Sequence, residues 1–217
     1  LVTTPAKAAE QLSFVKAGKA VELAEQGDSW SQGPDGVVSV GANHIVHSGK
    51  VIGRKDSAIH LRLKLQGISQ SAASFMIDRS HFGFEGRTGQ MFVEGDLFQG
   101  KQPEFLGPIG VADTQEFDFD VRRQGETLTF LVNGKAVYEA KVPDGELGEF
   151  KLRPLRSSMT IIDWTAEGDI AEVPVEYRPP FMVDVFSRKR EGSHTHRIPA
   201  LITTTKGTLL AFCEARR

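Results

Sequence analysis

The chain has 217 residues, 40% hydrophobic and 25% charged, which fits a globular protein and excludes collagen-like, disordered and disulfide-dense classes. Its formal charge of -2, from 26 basic and 28 acidic residues, gives no electrostatic case for nucleic acid or an anionic membrane. No run approaches the ~18 consecutive apolar residues of a membrane span, and Cys213, the single cysteine, excludes an intrachain disulfide or a multi-cysteine metal site.

Leu1–Ala6 has no basic n-region or apolar h-region, so a signal peptide is either lacking or already removed. A short helix is expected around Ala6 to Gln11. From there the pattern is strand-like. Ile59-His60-Leu61-Arg62-Leu63-Lys64-Leu65 alternates strictly, as a strand buried on one side must, because successive side chains point to opposite faces. Phe117-Asp118-Phe119-Asp120-Val121-Arg122 repeats the pattern. Leu128–Val132 and Ala136–Tyr138 flank Asn133-Gly134, the strongest short hairpin signal, since both residues tolerate positive φ.

Further strands are expected at Gly36–Val40, Ala73–Ile77, Gln90–Val93, Phe150–Leu152 and Met159–Trp164. Short strands at near-regular spacing predict an all-β antiparallel sandwich or jelly roll over residues 1–167. Gly168 to Pro180, with three prolines and no clean period, reads as an extended linker, bounded at 168–181. Met182–Phe186 then looks like a strand, and Ile198–Thr203 and Leu209–Cys213 form a hairpin about Thr205-Lys206-Gly207. Residues 182–217 are too few to bury a core of their own.

The stretch His194-Thr195-His196-Arg197-Ile198-Pro199 is followed by Leu209-Leu210-Ala211-Phe212-Cys213-Glu214-Ala215-Arg216. In order and spacing it resembles the opening strands of the catalytic six-bladed β-propeller of the sialidases (neuraminidases). Pro199 cannot donate to a ladder, so a strand start or edge is expected there. The resemblance implies that Arg197 belongs to the arginine triad that grips the sialic acid carboxylate. A guanidinium does this with paired hydrogen bonds that lysine cannot reproduce. Arg216 matches a second sugar-binding arginine.

The family's tyrosine nucleophile, its activating glutamate and its acid/base aspartate have no counterpart here, and no S-x-D-x-G-x-x-W box occurs. A propeller needs several blades of ~40–50 residues each. The chain therefore holds no catalytic residue, and a continuation of the polypeptide or a second chain would have to complete the site. The sandwich in turn resembles the concanavalin-like (laminin-G-like) accessory domain that precedes such propellers. The implied parent is an exo-α-sialidase acting on sialylated glycans, secreted or periplasmic, with no cofactor and no metal.

The alternative is a non-catalytic carbohydrate-binding module built on the sandwich alone. A third reading puts an enzyme site on the sandwich, but no pair of carboxylates stands out to carry it. The blander expectations are these. Cys213 is a buried small residue. His194 and His196 are not metal ligands, His44 and His47 lack local partners, and Arg188-Lys189-Arg190 is a solvated loop. Phe82, Phe84, Phe92 and Phe98 are expected to pack a core rather than form a sugar platform.

Overall fold

A computed structural model describes residues 11–23, 29–41, 44–68, 72–86, 88–108, 110–173 and 195–216. The expected helix at Ala6 and the strand at Met182–Phe186 lie outside them, apart from Gln11, which joins no element. The first compact unit spans Leu1–Val173 and the second Pro174–Arg217.

In chain order the first unit holds β1 (Leu12–Lys16), β2 (Lys19–Ala20), β3 (Ser31–Gln32), β4 (Val37–Val40) and β5 (Val46–Gln66). Next come β6 (Ala72–Ile77), β7 (Ser80–Glu85), β8 (Gln90–Gly95) and β9 (Gly100–Pro108). The last five are β10 (Glu116–Gln124), β11 (Thr127–Val132), β12 (Lys135–Lys141), β13 (Gly148–Arg153) and β14 (Ser158–Glu172). Every pairing among them is antiparallel.

Two long strands fold this sheet into a sandwich. The C-terminal half of β5 pairs β10, giving a first layer in the order β12-β11-β10-β5-β14, with β1 and β4 beyond β14. The N-terminal half of β5 pairs β13, giving a second layer β5-β13-β6-β7-β8-β9. β14 accompanies β5 through the bend, and its register slips at Gly168 to Ile170, a bulge that lets a strand turn a corner. The strand therefore runs on to Glu172, so Gly168–Glu172 are sheet and not linker. The run of prolines starts only at Pro174, outside the described residues.

The alternating strands face each other across the core. Phe75 stacks on Phe119 at 4.5 Å, Phe82 on Phe130 at 4.3 Å, and Phe84 meets Phe117 edge-on at 5.3 Å. Each pair joins the second layer to the first, and such contacts add about 0.5–1.5 kcal/mol beyond burial of the ring area. Phe82, Phe84 and Phe98 are core residues, as expected. Phe92 is also buried, but on the outer side of β8, opposite half-exposed Phe105 of β9. Asn133 and Gly134 both have positive φ (49° and 75°), the mirror-image turn that the Asn-Gly pair predicts.

The second unit contains the hairpin β15 (Thr195–Thr203) and β16 (Leu209–Arg216). Pro199 sits within β15 rather than at its start. The register slips between Arg197 and Ala200, and Ile198 has a φ of 52°, so a bulge accommodates the ring that a regular ladder would reject. Cys213 is only partly covered, not buried.

Candidate functional site

Alternation places the charges of the first layer on its outer face. On β5 the residues alternating with core-facing Ile59, Leu61, Leu63 and Leu65 are Ala58, His60, Arg62 and Lys64. On β10 Phe117, Phe119 and Val121 turn inward, which leaves Glu116, Asp118, Asp120 and Arg122 outside. Cross-strand register then builds rows. Glu116 lies opposite Lys64, Asp118 opposite Arg62, Asp120 opposite His60, and Arg122 opposite Ala58. β14 extends three of these rows with Asp163, Thr165 and Glu167, beside Arg62, His60 and Ala58 respectively.

One end of this face neutralises itself. Arg62 donates to Glu116 from Nε and Nη2 at 3.2 and 3.1 Å, and Lys64 Nζ lies 3.3 Å from the other oxygen. Hydrogen bonds from Lys64 and then Arg62 hold the Glu116 carboxyl below its ordinary range. That is the opposite of what a general acid needs.

The other end is open. His60 Nδ1 is 3.0 Å from Asp120 Oδ1, and Arg122 Nη2 is 3.8 Å from Asp120 Oδ2. Beyond them Arg122, Ala58 and Glu167 share one row, so a cation and an anion stand on either side of a methyl group. Two interstrand spacings, ~9.5 Å, separate the strands that carry them. Here lies a groove of about 710 Å³ lined by Asp56, Ala58, His60, Asp120, Arg122 and Glu167 among others, with no Phe, Tyr or Trp among its described residues.

Beneath it Arg123, only 1% exposed, donates to the carbonyls of Gly53, Gly125, Pro143 and Gly145. Arg123 also lines the groove, but its guanidinium N–H groups are spent on these backbone carbonyls and fasten the corner.

The outer face of the second layer is satisfied differently. Glu149 receives the Gly49 amide at 2.9 Å and His47 Nδ1 lies at 3.1 Å. Burial pushes the Glu149 carboxyl up, but His47, Gly49 and Lys151 together outweigh it and leave it low. His47 therefore has a partner, supplied from 102 residues away. Burial and then Arg153 lower the His81 pKa.

Of the arginines singled out from sequence, Arg197 lies opposite Glu214 and Arg216 opposite Thr195 at the open end of the hairpin. His194 and Arg188–Arg190 lie outside the described residues. The groove itself is absent from the sequence expectations. Its signal was present in Glu116-Phe117-Asp118-Phe119-Asp120-Val121-Arg122, which puts three carboxylates and a guanidinium on one strand face.

No protein-family model and no curated protein matches the chain. Solved structures do match. The Emp47p carbohydrate recognition domain is 14% identical, with 79% of this chain and 100% of that one covered, at a TM-score of 0.51. The VIP36 exoplasmic/lumenal domain, in its Ca2+/Man3GlcNAc-bound form, is 13% identical over 78% and 93%, at 0.52. A β-glucanase of Bacillus licheniformis is 10% identical over 75% and 99%, at 0.51. The fold is a jelly-roll sandwich. At these identities the likeness extends to the fold alone, and it covers recognition domains and enzymes alike.

Proposed function

We propose that the sandwich is a non-catalytic carbohydrate-binding unit and that glycans lie in the groove over Ala58. The carrying observation is the row Arg122–Ala58–Glu167, with His60, Asp120 and Thr165 in the next row. Sugar hydroxyls both donate and accept. A fork of donors faces a pair of acceptors across a residue too small to obstruct a ring, which suits them.

The test is Ala58→Phe in the full chain. Ala58 sits on the outer face of a strand, where Phe has good strand propensity, so the fold should persist. Glycan binding on an array or by NMR titration should fall about tenfold or more, as expected when a ring fills the site. Binding unchanged in a folded variant overturns the groove as the site.

A second reading attaches to the hairpin. The Arg-Ile-Pro and Ala-Phe-Cys-Glu-Ala-Arg segments support a parent exo-α-sialidase, secreted or periplasmic, in which Arg197 and Arg216 contact sialic acid. The comparisons lend it no support. What favours it is the spacing of the two segments and their pairing in one hairpin.

A further inference from the structure

The groove carries a charge pattern that selects among glycans. Asp56, Asp120 and Glu167 line it, against one outward guanidinium, Arg122, which already leans toward Asp120 at 3.8 Å. Arg123 lines the groove too, so three carboxylates face two guanidiniums, but its donors are already used. It is buried, and four backbone carbonyls surround its guanidinium. Asp118 stands one row further along, 3.9 Å from His60 Nε2, and adds another negative charge. Among the described residues no ion pair neutralises Glu167 or Asp56 across the groove; one Asp56 oxygen accepts the Gly125 amide.

A site meant for a sialyl carboxylate would reverse this balance, since anions are gripped by unspent guanidinium groups. We infer that the groove binds the neutral part of a glycan and disfavours a sialic acid residue within it. Neutral hydroxyls can donate to Glu167 and Asp120 and accept from Arg122 without an electrostatic penalty. The lack of Phe, Tyr or Trp in the lining means the grip is on the hydroxyl edge of the ring, not on its face. If the sialidase reading also holds, the two units address different parts of one glycoconjugate.

This rests on the groove being the glycan site, and the experiment separates the two claims. The full chain is titrated against matched pairs on an array, such as lactose and 3′-sialyllactose, at about 50 mM and about 500 mM salt, where screening lengths differ severalfold. The neutral member should bind about threefold or more tightly at low salt, with the gap closing at high salt as screening removes the repulsion. Glu167→Gln should narrow the gap at low salt. Equal or tighter binding of the sialylated member, lost in Ala58→Phe, overturns the selectivity and leaves the groove as the site. Failure of every glycan to bind overturns both.

Discussion

Gly168 occupies a position that no other residue can take without moving the backbone. Its φ is +89°, and a β-carbon there would lie 2.3 Å from the Asp56 carbonyl oxygen. Gly134 also has a positive φ, +75°, but nothing lies within 4 Å of a β-carbon added there. The two glycines therefore separate conformational strain from steric overlap. Gly134→Ala should cost about 1 kcal/mol, the usual penalty of left-handed backbone. Gly168→Ala should cost roughly twice that or more, because the corner between the layers must shift as well. Urea midpoints at constant m-value measure both. Equal losses would show that the corner yields freely. Arg122 and Arg123 show the same dependence on position. Alternation sends Arg122 to the open face and Arg123 into the sandwich, where it fastens the loops that meet the bend.

At the scale of elements, β14 does more than its most regular stretch suggests. Ile170, Ala171 and Glu172 pair with Ile52, Val51 and Lys50, and the Val173 amide donates to Gly49. These residues shield Val51 and Ile52, 6% and 2% exposed. A chain ending at Val173 should keep its cooperative melting transition, whereas one ending at Glu167 should melt on the order of 5–10 °C lower, from the lost burial of two aliphatic side chains. Coincident melting curves would deny this tail a structural role. Alternation fades where the strand bends and Gly168 interrupts it, so the sequence pattern of this strand ends at Trp164. The Ile59–Leu65 strand and the Asn133-Gly134 hairpin are legible in the sequence, since both signals are local. The groove is not. Arg122, Ala58 and Glu167 are brought together by pairings that span the sequence, and no local period records which strands become neighbours. His47 with Glu149 is a second case of the same kind.

The two units of the chain differ in what their described residues bury. The described residues of the first unit enclose an aromatic core between two layers. The hairpin of the second unit exposes Leu201, Ile202, Leu209, Leu210 and Phe212. Leu201 and Ile202 are adjacent on one strand and therefore point to opposite faces, so both faces of the hairpin are apolar. A two-stranded ribbon with polar residues on one side can stand against water on that side. One that is apolar on both leaves apolar area against water on each side, and an isolated hairpin is marginal in any case. The sialidase proposal requires such a hairpin to be covered, and its decisive test is in a protein that carries a full propeller. Arg197→Ala there should raise KM for an aryl sialoside roughly 10- to 100-fold, the range for losing charge-assisted hydrogen bonds to a carboxylate. The same change should leave binding of neutral glycans by the sandwich untouched. Unchanged KM would remove Arg197 from the sialic acid site. A parallel loss of neutral-glycan binding would show that the two units do not recognise their ligands separately.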